Sequence, residues 1–269
     1  MKKRSHFICN LAVTLSLLLM AMGVNAQNTD KEFVPYSGQE GKDVVWVPTP
    51  QTLVDTMLGM AKVTSADYVI DLGSGDGRLV ITAAKLGATA LGVEYNPDMV
   101  ALANRAAVEE GMNEKAKFIQ TDIFETDFSK ATVLTMFLLP DLNLRLLPTI
   151  LDMKPGTRIV TNTFSIGDWE PDLTKEISIE SNWTIAHLWI VPAKVEGTWK
   201  FDDGHVIITQ NYQNISGTIT FGGNEMKFTG ILNGDNISGK IDGIEFTGTV
   251  NGNTMFGTHD GGGTWRATR

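Results

Sequence analysis

DLGSGDGRLVITAAK, residues 71–85, places three glycines at every second position between an apolar run and a helical pattern. In an open parallel sheet, a glycine-rich turn between the first strand and the first helix lies at the carboxyl edge, where such folds bind ligands. The spacing of Gly73, Gly75 and Gly77 differs from the G-x-G-x-x-G spacing of dinucleotide sites. The stretch therefore predicts close approach of the backbone to a ligand without pyrophosphate.

On both sides of this loop, from about Thr49 to Ala193, short apolar runs alternate with helical patterns. This alternation predicts an α/β fold in which helices cover both faces of a parallel sheet. The predicted parallel strands are 68–73, 90–95, 117–122, 132–139 and 158–164. The predicted helices are 77–87, 96–112 and 141–153. In the second helix, Asn96 is the expected N-cap and Pro97 the first helical residue. Two last strands, 176–181 and 184–193, are predicted to be antiparallel partners joined by a short turn.

After Val195 the helical patterns end, and short strands alternate with Gly, Asn and Asp turns. The segment NISG occurs twice, and so does FTG. This spacing predicts a small all-β antiparallel meander or barrel. Trp199 and Trp265, near its two ends, are placed to close it, and we expect their rings in its core rather than on a ligand.

Residues 1–26 have the pattern of a secretory signal peptide: a basic start (KKR), an apolar run, and small residues spaced like a peptidase site. The mature chain is expected to begin at Gln27. Retention of the run as a membrane anchor stays open, because its length is near the ~17-residue lower bound for crossing a bilayer. We therefore predict an exported protein, periplasmic or secreted, that contacts a membrane only if this segment is retained.

The composition of the mature chain excludes several kinds of function. Without the three basic residues of the signal, 19 basic residues stand against 31 acidic ones, a formal net charge of −12. This charge disfavours nucleic acid as a partner, since binding it requires clustered Lys and Arg. The only cysteine, Cys9, lies in the signal, so neither disulfides nor thiol chemistry are expected. No spacing typical of metal ligands is present, and we predict no metal.

Acidic residues end the second and third predicted strands. The Glu94 carboxylate can accept hydrogen bonds from vicinal ribose hydroxyls. Asp122 is placed to accept from an exocyclic amine, with Ile123 beside it to lie on a flat ring. Asp76, where the first helix begins, would repel phosphate but tolerate a cationic group. These side chains predict a ligand with a ribose, an adenine-like base and an ammonium group, but no phosphate.

This set of residues resembles class I S-adenosylmethionine-dependent methyltransferases. DLGSGDGR, GVEYNP and the lead-in VWVPTP (45–50) are most similar to the branch that includes the ATP-synthase c-subunit lysine methyltransferases and bacterial exported methyltransferases. The resemblance covers about 47–192 and implies a Rossmann-like open sheet with S-adenosylmethionine as cofactor. It implies that the glycine loop lies against the methionine part, Glu94 holds the ribose, and Asp122 holds the adenine amine. The implied cofactor-binding residues are Asp71, Gly73, Gly75, Asp76, Gly77, Glu94, Asp122 and Ile123.

The acceptor side is expected after the fourth strand, where the chain reads LLPDLN and lacks the motif of base methylation. Methyl transfer is an in-line displacement that needs an aligned, unprotonated acceptor in a dry site. Leu138, Leu139 and Pro140 are expected to form an apolar wall. Asp141 and Asn143 are candidate catalytic residues that would orient an amine, with helix N-capping as the alternative.

The remaining candidates are aromatic or titratable side chains. Trp46 and Trp169 either line the acceptor side or pack, and His187 is expected to be a satisfied core residue. The predicted organisation is a signal peptide (1–26), a lead segment (27–46), a cofactor-binding domain (47–195) and a β-rich domain (196–269). The predicted reaction is N-methylation of an amine such as a protein lysine. A small-molecule methyltransferase stays open, as does an exported binding protein that keeps the fold without turnover.

Overall fold

The computed structural model of this chain describes residues 33–269. The predicted signal peptide lies outside the described residues, as do the first residues of the lead segment. From Pro35 to Arg269 the chain forms one compact unit. Within this described part, no helix is long and apolar enough to cross a membrane.

Residues 68–190 contain a seven-stranded sheet with the strand order β3-β2-β1-β4-β5-β7-β6. Its strands are β1 Tyr68–Leu72, β2 Thr89–Glu94, β3 Ala116–Gln120, β4 Val133–Met136, β5 Arg158–Asn162, β6 Leu173–Glu176 and β7 Ile185–Ile190. Strands β1 to β5 are parallel, whereas β7 is antiparallel to both β5 and β6. The α/β prediction is thus confirmed. Because β1 pairs with both β2 and β4, the order of the strands reverses there, and the cleft of such a sheet forms at that point.

The predicted position of the first antiparallel strand is wrong. Strand β6 is Leu173–Glu176, four residues that are all exposed at the edge of the sheet, and residues 177–184 connect it to β7. The alternation of Ile177 and Ile179 indicated a strand, but Ile177 instead packs against the core on one face of the sheet. The connection is consequently longer than the predicted short turn.

Four helices accompany the sheet in the described part: α1 Gln51–Met60, α2 Arg78–Lys85, α3 Pro97–Glu109 and α4 Pro140–Leu151. The Asn96 side chain accepts a 2.9 Å hydrogen bond from the backbone N–H of Asp98, which confirms the predicted N-cap. Helix α4 begins one residue earlier than predicted, with Leu139 as its N-cap and no capping side chain. Neither Asp141 nor Asn143 therefore acts as a cap.

Residues 197–268 form a closed antiparallel barrel of eight strands, which confirms the predicted small antiparallel β domain and shows that it is a barrel and not an open meander. Its strands are β8 Gly197–Phe201, β9 Gly204–Asn211, β10 Asn214–Phe221, β11 Asn224–Asn233, β12 Asn236–Ile241, β13 Ile244–Asn251, β14 Thr254–His259 and β15 Gly263–Thr268. Strands β8 and β15 are neighbours, so the strands that carry Trp199 and Trp265 close the barrel. Trp199 is fully buried in its core, and Trp265 packs edge-on against Phe246.

The barrel packs directly on the sheet domain through two of its hairpin turns: Gly234 lies against Gly156, and the turn at Tyr212 and Gln213 meets Trp169. The buried Trp169 indole N–H donates a 2.7 Å hydrogen bond to the side-chain oxygen of Gln213, and the Tyr212 ring stacks on Trp169 at 5.7 Å. Trp169 is therefore a packing residue and does not line the acceptor side. Ala193 and Val195 belong to the hydrophobic core of the barrel. This core thus begins before the predicted boundary at Val195.

Candidate functional site

A cleft opens at the carboxyl edge of the sheet, at the point where the strand order reverses. Several residues that the sequence predicts for the site line it: Trp46, Asp71, Gly73, Gly75, Asp76, Glu94, Asp122, Ile123, Leu138 and Leu139. Gly77, the last glycine of the loop, is the N-cap of α2. The cleft extends from the ends of β1, β2 and β3 to the residues that follow β4 and β5.

The glycine loop is held against the end of β2 by its own backbone. Gly73, Gly75 and Gly77 have φ values of 80°, 53° and 82°, in the left-handed region that favours glycine. The Gly73 and Ser74 N–H groups donate to the Val93 carbonyl at 2.8 and 3.0 Å. A Cβ atom on Gly75 would lie 2.5 Å from the Trp46 indole nitrogen. Because Gly75 has no side chain, the Trp46 indole packs directly against the glycine loop.

Glu94 combines a structural contact with free capacity to accept hydrogen bonds. Its Oε2 accepts from the Gly75 N–H at 3.0 Å, and its Oε1 accepts from the Asn96 N–H at 2.9 Å. Each carboxylate oxygen has two lone pairs, so both can accept another hydrogen bond from a hydroxyl in the cleft. These contacts fix the carboxylate in one orientation at the mouth of the cleft.

Asp122 is paired with a lysine that no sequence motif indicated. Its Oδ1 accepts from the Phe124 N–H at 2.9 Å, and its Oδ2 contacts the Lys42 ammonium, which also lies 4.9 Å from the centre of the Tyr95 ring. The hydrogen bond from Lys42, followed by that from Phe124, holds the pKa of Asp122 below its ordinary value. Asp122 is therefore ionised and accepting at neutral pH.

Lys42 belongs to a segment, residues 39–49, that forms one wall of the cleft. The backbone N–H of Trp46 donates to the Gln39 carbonyl at 2.9 Å, and the Gln39 side-chain amide contacts the Met99 sulfur at 3.5 Å. The structure thus places part of the predicted lead segment in the site itself.

Asp76 lines the cleft but is already engaged by an arginine. Both of its carboxylate oxygens accept from Arg78, at 2.5 to 3.1 Å, and Arg78 also donates to the Thr49 carbonyl at 2.8 Å. The charge of Asp76 is thereby largely compensated. Its role in the structure is to tie the glycine loop, through Arg78, to the wall formed by residues 39–49.

Among the predicted site residues, Asp71 has a strongly raised pKa. It is buried, its Oδ1 accepts from the Thr135 hydroxyl at 2.7 Å, and Glu94 and Asp76 lie near it. Burial, which disfavours the charged carboxylate, and to a smaller extent the nearby Glu94 and Asp76 carboxylates raise the pKa of Asp71 from 3.8 to about 7, against the opposing hydrogen bond from Thr135. A cationic ligand in the cleft would favour the ionised form.

We expect the Asp71→Asn variant to be more stable than the wild type at pH 8 and equal to it near pH 4. Between the unfolded pKa of 3.8 and the folded pKa of about 7, the folded protein holds a proton that the unfolded chain has lost. The free energy of unfolding therefore falls as pH rises through this window, by roughly 1.4 kcal/mol per pH unit at most. Urea unfolding of both proteins from pH 4 to 8 measures the difference. A difference that is constant across this range would contradict the shift.

The acceptor half of the cleft is apolar, but only part of the predicted wall lies on it. Leu138 is buried and Leu139 is 46% exposed, and both line the cleft. Among the described residues that line it, Pro140, Asp141 and Asn143 do not appear. Asn143 lies fully buried behind the wall, where its Nδ2 donates to the Ser165 carbonyl at 3.1 Å and its Oδ1 has no partner. It therefore supports the loop after β5 and does not meet the acceptor.

Three aromatic side chains that no sequence motif singled out complete this half. Phe137 follows β4, Phe164 follows β5, and Trp183 precedes β7; their ring centres are 5.1 to 6.0 Å apart, and all three line the cleft. The sequence could have indicated Phe137 and Phe164, because each follows the end of a predicted parallel strand and the carboxyl ends of such strands meet at one edge of the sheet. We refer to Phe137, Phe164 and Trp183 as the aromatic triad.

His187 is hydrogen-bonded on both ring nitrogens, as expected for a satisfied residue. Its Nδ1 is 2.8 Å from the Thr174 hydroxyl and its Nε2 is 3.2 Å from the Thr163 carbonyl. Burial lowers its pKa. The neutral ring that donates from Nε2 and accepts at Nδ1 satisfies both contacts, so His187 is a structural residue and not a free base.

The hydrogen-bonding groups of the cleft fit the cofactor that the resemblance implies. Glu94 and Asp122 present accepting carboxylates, and the buried Ser74 hydroxyl has no partner of its own. Accepting oxygens suit ribose hydroxyls and an adenine amine. The basic side chain at the end of the loop, Arg78, is paired with Asp76 and so is not available to a phosphate. The described residues contain no group of His, Cys, Asp and Glu that could hold a metal ion.

Comparison with known proteins agrees with this geometry. The family profile described as "ANTKMT methyltransferase domain" matches residues 71–173. A protein-lysine N-methyltransferase from Saccharolobus islandicus is 44% identical over 131 residues, which are 48% of this chain and 81% of that protein. The human lysine N-methyltransferase of the ATP synthase c-subunit is 32% identical over 139 residues, which are 51% of this chain and 59% of the human protein.

A solved structure extends the similarity to three dimensions. It is an RNA methyltransferase from Salinibacter ruber in complex with S-adenosyl-L-homocysteine, 42% identical in sequence with a TM-score of 0.52. The similarity covers 55% of this chain and 96% of that one. A bound S-adenosylhomocysteine in that relative supports the assignment of the cofactor.

Proposed function

Because this chain belongs to the ANTKMT-type family of S-adenosylmethionine-dependent methyltransferases, we propose that it methylates the side-chain amine of lysine in a protein. The observation that carries the proposal is the division of the cleft. Carboxylates occupy the half formed by β1, β2 and β3, whereas leucine, phenylalanine and tryptophan side chains line the other half. An alkyl amine needs such an apolar approach, and lysine has the longest alkyl stem of the common amines in proteins.

When bound, S-adenosylmethionine supplies a methyl group on a sulfonium: the neutral amine forms an N–C bond as the C–S bond breaks, S-adenosylhomocysteine leaves, and the new ammonium loses one proton to water. Leu138 and Leu139 give the acceptor half an apolar surface. An apolar environment lowers the pKa of a lysine ammonium and so favours the neutral amine. No side-chain base is required beyond this desolvation and the alignment of the two reactants.

RNA is the second acceptor that the comparisons suggest, through the name of the Salinibacter relative. The charge of this chain opposes it. With 31 acidic residues against 22 basic ones, the protein repels a phosphate backbone unless basic residues are concentrated on one surface. The lining of the cleft includes only Lys42 and Arg78 among basic side chains of the described part, and each pairs with an aspartate.

We further propose that the reaction takes place outside the cytoplasm. This rests on residues 1–26 alone, which lie outside the described residues, and on their secretory pattern. The acceptor would then be an exported or envelope protein, and the methyltransferase would contact a membrane only through a retained signal. The cofactor, in that case, has to reach the same compartment.

We expect methyl-lysine to be the labelled product when residues 27–269 are incubated with tritiated S-adenosylmethionine and bacterial soluble, envelope and RNA fractions. Acid hydrolysis and chromatography against methylated amino-acid standards identify the product. The Glu94→Ala variant is the control, since loss of its hydrogen bonds is expected to weaken cofactor binding by about 1–3 kcal/mol. Label that enters RNA, or another amino acid, would overturn the proposal.

A further inference from the structure

We propose that the aromatic triad is the site that receives the acceptor's side chain and selects for a long alkyl amine. The inference deepens the proposed function and rests on it. Phe137, Phe164 and Trp183 lie on the half of the cleft opposite Glu94 and Asp122, next to Leu138 and Leu139. Nothing in the family match or in the names of the relatives assigns a role to these residues.

The position of the triad follows from the topology of the sheet. Phe137 comes directly after β4, which lies beside β1 and its glycine loop. Phe164 comes two residues after the end of β5. Because β7 is antiparallel to β5 and Ala186 pairs with Asn162, the residues before β7, including Trp183, return to the same edge. Three separate chain segments therefore place one ring each beside the cofactor half.

The three rings are only half-buried, and Trp183 also packs against the hydrophobic core on one face of the sheet. Phe137 and Trp183 meet edge to face at 5.1 Å and 69°, whereas Phe137 and Phe164 are stacked at 6.0 Å and 22°. Each ring also lines the cleft, so part of its surface is available to a ligand there. Aromatic faces pack against alkyl stems and attract a cationic ammonium. The aromatic triad thus suits both the methylene chain of lysine and its methylated, charged product.

The turn that carries Phe164 is strained, which points to a function. Thr163 has a φ of 60°, an outlier for a β-branched residue, and the Phe164 N–H donates to the Asn162 carbonyl at 2.6 Å across it. Strain of this kind persists only where the surrounding structure enforces it, and it is concentrated at functional sites.

Buried polar side chains enforce this turn from several sides. The Thr161 hydroxyl donates to the Phe164 carbonyl at 2.6 Å, and Asn143 donates to the Ser165 carbonyl at 3.1 Å. The Asn162 amide contacts the Thr49 hydroxyl at 3.2 Å, which links the turn to the wall formed by residues 39–49. The backbone that carries Phe164 is thereby fixed before any ligand arrives.

Substitution of single rings tests the assignment. We expect Phe164→Leu and Trp183→Leu each to raise KM for the lysine substrate on the order of tenfold, with kcat less affected and the affinity for S-adenosylhomocysteine within twofold of wild type. Leucine keeps an apolar side chain, so the loss reports the aromatic face. The substrate is the protein found labelled in the fractionation experiment, and poly-L-lysine serves as a second acceptor.

The matched control is Phe256→Leu, which removes a ring that is 48% exposed on the barrel. It is expected to leave KM and kcat unchanged. Thermal unfolding of all variants identifies any that lose the fold, and for such a variant Phe164→Tyr or Trp183→Phe, which keeps a ring, is expected to restore KM. If the folded Phe164→Leu and Trp183→Leu variants methylate lysine with the KM of the wild type, this inference is wrong but the proposed function stands. A wild-type protein that binds S-adenosylhomocysteine but yields no methyl-lysine would overturn the proposed function, and this inference with it.

Discussion

Replacement of Gly77 by alanine is expected to lower the free energy of unfolding by about 2–5 kcal/mol and to abolish measurable binding of S-adenosylhomocysteine. Gly77 has a φ of 82°, where an L side chain costs about 1–2 kcal/mol. A Cβ atom there would lie 2.6 Å from the Phe118 ring and 2.8 Å from the Cβ of Ala103. The added methyl group therefore also overpacks the contact of α3 and β3 with the loop, at a cost of about 1–3 kcal/mol.

Gly111→Ala is the matched control for this substitution. Gly111 has a φ of 66°, but a Cβ atom there would meet nothing within 4 Å. The control thus measures the backbone cost alone, about 1–2 kcal/mol. Urea unfolding gives both free energies, and calorimetry gives the affinity for S-adenosylhomocysteine. An equal loss of stability in the two variants would show that Phe118 moves aside without cost, and that packing does not fix the loop.

The contact of Phe118 with Gly77 shows why glycine is required in this loop, and a pattern of glycines was the feature by which the sequence predicted it. Phe118 occupies space that side chains at both Gly77 and Gly92 would fill, since a Cβ on Gly92 would lie 2.4 Å from its ring. The loop, the strand ends and the acids that follow them are encoded by short-range patterns of glycine, apolar residues and carboxylates. Their meeting at one edge then follows from the parallel order of β1, β2 and β3.

The features that the sequence did not predict depend on contacts between distant segments. Lys42 meets Asp122 across 80 positions of the chain, and no pattern around Lys42 marks it. Trp183 joins Phe137 and Phe164 only because β7 returns antiparallel to β5. The misplaced strand at 176–181 has the same origin, because Ile177 looks like a strand residue but packs against the sheet instead. Tertiary packing decides each of these positions.

A chain cut at Val195 is expected to be much less stable than the whole protein, because the barrel covers groups that the sheet domain leaves open. Trp169, 1% exposed in the intact protein, would lose the stacked Tyr212 ring and the hydrogen bond to Gln213. The exposed indole, the lost stacking and the lost hydrogen bonds together correspond to roughly 3–6 kcal/mol. Domains are typically stable by about 5–15 kcal/mol, so the fragment is expected to be marginal.

Point variants of the whole chain separate this docking contact from the presence of the barrel. Gln213→Ala leaves the buried Trp169 indole N–H unpaired and also removes the donor to the Glu170 carbonyl, at 2.8 Å, so a loss of about 1–3 kcal/mol is expected. Asn253→Ala is the matched control: it also removes an amide from a turn of the barrel, but from an exposed position, and its effect is expected to stay within about 0.5 kcal/mol.

Cofactor binding by the fragment shows which part of the loss concerns the site. Every residue assigned to the cofactor lies before residue 124, so the fragment is expected to bind S-adenosylhomocysteine wherever it is folded, and the ligand is expected to raise its thermal midpoint by mass action. A fragment that unfolds at the same urea concentration as the whole chain would show that the barrel contributes nothing to the sheet domain. A folded fragment that does not bind would show instead that the barrel shapes the cleft, because the turn that holds Trp169 begins directly after the strand-end loop that carries Phe164.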